Sequence, residues 1–142
     1  MYVNLEDADF QVALNGIIAA KFRNAGQTCI SINRLYIHEK IHDKFVAALT
    51  EALQAANIGP LISQKALEKV EKHLSDAKQK GAKIICGGNR VAKDGFWFEP
   101  TLVVQCDDSM LLSCEEVFGP VVSVFKFNND EEGKLILLTP QT

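Results

Sequence analysis

The stretch KFRNAGQTC, residues 21–29, decides how this chain folds, because it ends a helix in a sharp turn that carries a cysteine. The helical pattern begins near Asp7, a candidate N-cap, and Gly26 breaks it. Amides of such a turn can stabilise a thiolate or an oxyanion, so Cys29 is a candidate nucleophile. Arg23 can bind an anionic group on a substrate presented to that thiol. Apolar residues recur before the turn at helical spacing: Phe10, Leu14, Ile17 and Ile18.

Strand and helix patterns alternate along the rest of the chain. Pro100 lies inside one of the strand patterns and indicates an edge position or a bend there. We therefore predict an α/β fold with a largely parallel sheet and flanking helices. The predicted elements are a strand over 34–38, a helix with Ile41, Phe45, Ala48, Leu49 and Ala52 on one face, a turn at Gly59-Pro60, a helix from an N-cap at Ser63 to Gly81 that buries Leu67, Val70, Leu74 and Ala77, strands over 82–86 and 96–104, a turn over 115–120 and a strand over 121–127.

Composition is that of a globular protein. The chain has 142 residues, of which 47% are hydrophobic and 23% charged, which is enough for one domain with a core. The net charge is −3, and the acidic and basic residues are interspersed along helix-like segments. This distribution argues against nucleic acid as a partner. No segment reads as a membrane span or a signal peptide. We expect a protein of the cytoplasm or an organelle matrix.

Three of the four cysteines and all three histidines lack a motif that indicates chemistry. No Cys/His group has zinc spacing, so no metal site is predicted, and a disulfide framework is not expected. Cys86, in the run KIIC, and Cys106, in the run LVVQC, are interpreted as core residues, and Cys114 as a tolerated residue. The three histidines are interpreted as surface or boundary residues: His38, His42 and His73. Gly87-Gly88 lacks the spacing of a phosphate-binding loop.

Five blocks, in order, resemble the aldehyde dehydrogenase superfamily, and most of all its succinate-semialdehyde branch. They are LEDADFQVALNGIIAAKFRNAGQTCISINRLYIHEKIHDKFVAAL, IGPLI with the helix after it, KGAKIICGG, FWFEPTLV and EEVFGPVVSVFKF. The resemblance implies a partial catalytic domain over residues 1–130. It also implies a divergent C-terminal tail over residues 131–142, where a short apolar run replaces the expected family helix.

The resemblance assigns roles to particular residues. Cys29 would attack an aldehyde carbon, with its own amide donating to the oxyanion; hydride would pass to NAD or NADP, and water would hydrolyse the thioester. Arg23 would bind the distal carboxylate of succinic semialdehyde. Glu116 and Phe118 would contact the nicotinamide ribose and ring of the cofactor. Ser31 stands where some members carry a second cysteine, so their redox pair is not expected here.

Other parts of the family pattern bear on activity. Cys114 stands where the family usually has a lysine. The general-base glutamate, in a Glu-Leu-Gly-Gly element, and most of the dinucleotide-binding domain are expected upstream of residue 1. We therefore expect little or no dehydrogenase turnover from the isolated chain. The family forms homo-oligomers, and the oligomeric state of this chain is left open.

Three other interpretations remain. The chain can be a non-catalytic α/β module that associates with other subunits. It can be a thiol-reactive protein that uses Cys29 without a cofactor. A thiol hydrolase would need a histidine base beside Cys29, and no histidine carries such a motif.

Overall fold

A computed structural model describes residues 2–4 and 7–138 of the chain. A five-stranded sheet runs through the middle, in the order β1-β2-β5-β4-β3. β1, β2, β5 and β4 are parallel to their neighbours, and β3 is antiparallel to β4, so the predicted largely parallel α/β sheet is confirmed. The elements are β1 (Tyr2–Asn4), α1 (Phe10–Phe22), β2 (Arg34–His38), α2 (Glu39–Gln54), α3 (Gln64–Gln79), β3 (Lys83–Cys86), β4 (Thr101–Val104), α4 (Leu111–Cys114), β5 (Val121–Phe127) and α5 (Asp130–Leu138), with a 3-10 turn at Arg23–Gly26.

The sheet separates two hydrophobic cores. Alternate residues of β5 point to opposite faces: Val122 and Val124 join the core under α1 and α2, whereas Phe125 and Phe127 join the core under α3. Helices thus cover both faces, as a parallel sheet requires. The predicted burial of four α3 residues is confirmed: Leu67, Val70, Leu74 and Ala77.

Helix α1 begins later than predicted. Its N-cap is Asp9 and not Asp7, because the Asp9 carboxylate accepts a hydrogen bond from the amide of Val12 at 2.9 Å. Ser63 caps α3 as predicted, accepting from the amide of Ala66 at 3.2 Å. Cap geometry, rather than the mere presence of an aspartate, therefore sets where α1 starts.

The predicted strand over 96–104 is only half right. β4 starts at Thr101, directly after Pro100, and residues 96–100 contribute an isolated bridge from Phe98 to Arg90. β4 pairs with β3 on one side and β5 on the other, so the edge position suggested by the proline is wrong. The proline ends the irregular approach to the strand instead of lying in it.

The C-terminal segment and one histidine also differ from the predictions. A helix, α5, forms where the sequence indicates only a short apolar run, and a boundary at residue 130 stays a prediction. His73 is 0% exposed and lies inside α3, so the prediction that it is a surface or boundary residue is wrong. His38 is 3% exposed, but it ends β2 and caps α2, so its predicted place at an element boundary is confirmed. His38 is the last residue of β2, and its ring contacts the ring of Phe127, the last residue of β5, edge-on.

Candidate active site around Cys29

The cysteine follows a turn with an unusual backbone. Asn24, Ala25 and Gly26 all have positive φ angles, of 52°, 54° and 76°. Non-glycine residues rarely adopt this left-handed conformation, which is often retained at functional sites. The chain therefore reverses sharply after Phe22, and Cys29 emerges at the surface.

Gly26 lies against the turn over 115–120. A Cβ atom at Gly26 would be 2.2 Å from the carbonyl oxygen of Gly119, and a Cβ atom at Gly119 would be 2.5 Å from Cγ2 of Val70. Only glycine at position 26 allows its backbone to approach that of Gly119 so closely, and at Gly119 a side chain would meet the Val70 side chain. The two segments that the sequence singles out, 21–29 and 115–120, thus form one surface.

Side chains next to the cysteine turn hold the neighbouring loops. Gln27 accepts a hydrogen bond from the amide of Ile62 at 2.8 Å and donates to the carbonyl of Asn24 at 3.1 Å. Asn33 accepts from the amide of Val117 at 2.9 Å. These supports were not predicted, because their partners lie 35 and 84 positions away in sequence.

The Cys29 thiol differs from the buried thiols. It is exposed and makes no hydrogen bond with any described residue. Burial raises the pKa of Cys106 to about 12, and burial also raises the pKa of Cys86. These two thiols are held protonated, in agreement with the prediction that they are structural, although Cys86 is only partly buried.

The other predicted site residues are accessible. The Arg23 side chain is exposed at the end of α1 and pairs with no described acid. Glu116 is exposed and accepts no hydrogen bond from a described residue, and the Phe118 ring is 39% exposed. The structure places Glu116 and Phe118 in the turn that packs on Gly26. A free carboxylate and an exposed ring are chemically suited to the hydroxyls and the base of a nucleotide.

Sequence reasoning missed Lys21. Its side chain is fully buried, and its ammonium has no hydrogen-bond partner among the described residues. Burial lowers its pKa to about 8, and the Glu116 carboxylate acts in the opposite direction. A signal was present, because Lys21 follows Leu14 and Ile17 at helical spacing and so lies on the buried face of α1.

His73 was missed as well. Its Nδ1 lies 2.7 Å from the carbonyl oxygen of Lys69, and its Nε2 lies 3.5 Å from a carboxylate oxygen of Glu115. The carbonyl can only accept, so Nδ1 donates to it. His73 therefore faces the residue next to Glu116, and it makes no hydrogen bond to Cys29.

Two kinds of site are not found in the part of the chain that the structure describes. Within residues 2–4 and 7–138 no group of three His, Cys, Asp or Glu residues is arranged to bind a metal ion. No helix in those ranges has both the length and the apolar character needed to cross a membrane.

Comparison with known sequences gives a consistent result. A model described as "Aldehyde dehydrogenase family" matches residues 2–137. The chain is 39% identical to the succinate-semialdehyde dehydrogenase [NADP(+)] of Escherichia coli, covering 92% of this chain and 29% of that protein. It is 43% identical to a mitochondrial succinate-semialdehyde dehydrogenase of Arabidopsis thaliana, covering 89% and 26%. It is 41% identical to a glutarate-semialdehyde dehydrogenase of Pseudomonas aeruginosa, covering 92% and 29%.

Solved structures show the same fold. The chain superposes on succinate-semialdehyde dehydrogenase from Burkholderia pseudomallei with a TM-score of 0.89 and 38% identity, covering 92% of this chain and 29% of that one. Lactaldehyde dehydrogenase from Escherichia coli gives a TM-score of 0.89 at 35% identity, covering 93% and 30%. The chain thus spans less than a third of the length of these relatives.

Proposed function

Because this chain belongs to the aldehyde dehydrogenase family, we propose that it serves the nicotinamide-dependent oxidation of an aldehyde that carries a carboxylate, with succinic semialdehyde as the first substrate to test. The observation that carries the proposal is the packing of Gly26 on Gly119, since it sets the Cys29 turn beside Glu116 and Phe118. Relatives named for succinate and glutarate semialdehydes support a substrate with a distal carboxylate.

Cys29 is the proposed nucleophile. Its sulfur adds to the aldehyde carbon, forming a carbon–sulfur bond and an oxyanion that the amide of Cys29 stabilises. The carbon then loses a hydride, and the adduct becomes a thioester. Water breaks the carbon–sulfur bond, releasing the carboxylic acid and restoring the thiol. An exposed thiol after a left-handed turn supports this assignment.

The remaining assignments concern charge and shape. Arg23 offers a guanidinium fork that can hold the distal carboxylate of the substrate with two parallel hydrogen bonds. Glu116 would accept the hydroxyls of the cofactor ribose, and Phe118 would pack against the nicotinamide. A bound NAD or NADP supplies the acceptor for the hydride. The accessibility of all three side chains supports these roles.

The binding part of the proposal can be tested on the chain itself. We expect succinic semialdehyde to slow the alkylation of Cys29 by iodoacetamide, and to do so at lower concentration than butanal, which has the same carbon chain without the carboxylate. Arg23→Gln should remove the difference between the two aldehydes. Cys114, also exposed, is the internal control, and its alkylation should be unaffected.

Two results would count against the proposal. Equal protection by both aldehydes in the wild-type chain would remove the carboxylate-binding role of Arg23. If neither aldehyde protects Cys29 from alkylation at millimolar concentration, the assignment of Cys29 as the nucleophile loses its support. Turnover is measured separately, as the absorbance of NADPH formed with succinic semialdehyde.

A second candidate is a non-catalytic module that associates with other subunits. Exposed apolar side chains near the cysteine turn favour it, with Ile30 68% and Ile62 84% accessible. Sedimentation velocity with a hydrophobic-dye assay separates the two. A monomer that binds no dye would argue against the module.

A further inference from the structure

His73 is a buried polar side chain that the proposed chemistry does not use. It lies on α3 and is 0% exposed, and its Nδ1 donates to the carbonyl oxygen of Lys69 at 2.7 Å. Its other ring nitrogen, Nε2, is buried and forms no hydrogen bond with a described residue. A buried polar atom without a partner costs free energy, so Nε2 is a candidate for an interaction that the neutral ring does not make.

A carboxylate oxygen of Glu115 lies 3.5 Å from Nε2 of His73. Glu115 is the C-cap of α4, and its side chain is 44% exposed. Because Nδ1 holds the hydrogen of the neutral ring, Nε2 then has only a lone pair, which does not attract a carboxylate. A protonated ring carries a second hydrogen on Nε2 and can donate it to the carboxylate in a charge-assisted hydrogen bond. The contact with Glu115 is therefore attractive only when His73 is protonated.

Other ionisable groups close to His73 are already engaged or stay neutral. Asp76, one turn further along α3, accepts from the first amide of α4 at 2.7 Å and pairs with Lys80 at 2.8 Å. On the sheet side of the same core, burial raises the pKa of Tyr36 above its ordinary value, so this phenol is uncharged near neutral pH. Glu115 is thus the acid that a proton on His73 would engage.

Helix α3 contacts the turn over 115–120 at both ends. His73 faces Glu115 at the first end, and at the other end a Cβ atom on Gly119 would lie 2.5 Å from Cγ2 of Val70. Val70 and His73 are three positions apart, so they lie on the same side of α3, and both are buried. The two side chains that the proposed function assigns to the cofactor are carried between these contacts. A change at the first contact can therefore alter their direction.

We propose that His73 is a positioning residue for the turn over 115–120: its protonated ring binds the Glu115 carboxylate and holds the first end of the turn on α3. This restrains Glu116, the next residue along the chain. The consequence for cofactor binding rests on the proposed roles of Glu116 and Phe118, whereas the contact of His73 with Glu115 does not. Since histidine ordinarily changes charge between pH 5 and 8, the restraint should strengthen as the pH falls through that range.

Hydrogen exchange of the Val117 amide measures the restraint on the full 142-residue chain. This amide donates to Oδ1 of Asn33 at 2.9 Å, two residues after Glu115. Its protection factor compares it with an unstructured chain at the same pH, so the direct effect of pH on exchange cancels. Amides of β5 serve as the reference for opening of the whole chain. Relative to them, we expect Val117 to be about threefold better protected at pH 6 than at pH 8, the order expected for an ion pair with a partly exposed carboxylate.

Three variants identify the groups responsible. Glu115→Gln and His73→Gln should each abolish the dependence of Val117 protection on pH, because each removes one partner of the ion pair. Glu115 is partly exposed, so its variant keeps the experiment decisive if His73→Gln fails to fold. His42→Gln is the matched control and should leave the dependence unchanged, because His42 lies on α2 and pairs with Asp43 at 2.8 Å.

The positioning role is overturned if Val117 protection in the wild type does not change with pH relative to β5. It is also overturned if the change persists in Glu115→Gln, since the carboxylate would then have no part in it.

Nucleotide binding separates this inference from the proposed function. NADH is the probe, because it lacks the 2′-phosphate of NADPH, which would itself titrate near pH 6. Its fluorescence should report binding to the wild type about threefold tighter at pH 6 than at pH 8, relative to the same comparison in Glu115→Gln. An equal dependence on pH in both proteins would overturn the effect of His73 on the cofactor. If NADH does not bind to the wild-type chain, the cofactor roles of Glu116 and Phe118 lose their support, and exchange at Val117 still decides whether His73 holds the turn.

Discussion

Gly26 and Gly119 approach so closely that a Cβ atom on Gly26 would lie 2.2 Å from the carbonyl oxygen of Gly119. This contact joins the turn that carries Cys29 to the turn that carries Glu116. Both glycines come from motifs that are far apart in sequence, and the contact is made by main chain rather than by side chains. The contact therefore depends on the absence of a methyl group at position 26.

Gly26→Ala should strongly destabilise the chain. The added methyl group would clash with main-chain atoms that cannot move aside, and φ at this position is +76°, a conformation that costs alanine energy. We expect the free energy of unfolding to fall by at least about 2 kcal/mol. Urea denaturation monitored by circular dichroism measures the loss.

Gly16→Ala is the matched control for that substitution. Gly16 is exposed in the interior of α1, and its Cβ atom would meet nothing within 4 Å. Alanine should therefore stabilise the helix by about 0.5–1 kcal/mol. A loss of stability in both variants would mean that α1 and the turn after it are sensitive to any substitution of glycine, and the specific contact with Gly119 would lose its importance.

Gln27→Ala should loosen the loop that contains Ile62. The side-chain oxygen of Gln27 accepts a hydrogen bond from the amide of Ile62, 35 positions away. No other described residue accepts a hydrogen bond from the Ile62 amide. Losing this hydrogen bond is worth about 1 kcal/mol locally, so exchange of the Ile62 amide with solvent should speed up about fivefold. Hydrogen exchange followed by NMR measures it.

Gln11→Ala is the control for the loop experiment. Gln11 bonds only to Asn15 on the exposed side of α1, 3.0 Å away. Its removal should leave the Ile62 amide unaffected. Unchanged exchange at Ile62 in Gln27→Ala would show that the loop is held by its own turn instead of by the cysteine segment.

Much of the fold follows from hydrophobic periodicity, and the departures have local causes. The helical spacing in α3 identifies the residues that this helix buries, because burial dominates those positions. The start of α1 does not follow from hydrophobic periodicity, because Asp7 and Asp9 both precede the apolar stretch. The geometry of the side chain selects Asp9 as the N-cap. Propensity does not distinguish between two good caps.

The candidate site was only partly predictable. Its sequence motifs identify Cys29 and Glu116, and these remain proposals for chemistry. Lys21 and His73 were overlooked because charged or polar residues are ordinarily assigned to the surface, even at a buried position of a helix. The contact of Gly26 with Gly119 depends on long-range packing that no local pattern encodes.

The four thiols should react in an order set by exposure and burial. Cys29 and Cys114 are exposed and should be alkylated first. Cys106 should resist, because a pKa near 12 leaves about one thiol in ten thousand ionised at pH 8. Peptide mass mapping after timed exposure to iodoacetamide gives the order.

Unfolding provides the control for that order. In concentrated urea all four cysteines should react at similar rates, since burial no longer protects any of them. Rapid alkylation of Cys106 in the native chain would contradict the buried position of that thiol. It would also undermine the contrast between a structural thiol and an accessible Cys29.

Lys21→Met should stabilise the chain, and the gain should depend on pH. The pKa of Lys21 is 10.5 before perturbation and about 8 in the folded chain, so below pH 8 both states are protonated and folding carries the full cost of burying the charge. That cost corresponds to about 3 kcal/mol. Between pH 8 and 10.5 the unfolded state binds more protons than the folded state, so the stability of the wild type rises with pH relative to the variant.

The difference in free energy of unfolding between Lys21→Met and the wild type should therefore be largest near pH 7 and shrink toward pH 10.5. Urea denaturation at several pH values measures it, and groups common to both proteins cancel in the difference. Lys78→Met, at an exposed position of α3, should give a difference that does not change with pH. A constant difference for Lys21→Met as well would mean that folding does not lower the pKa of the Lys21 ammonium, which would contradict its buried position without a described hydrogen-bond partner.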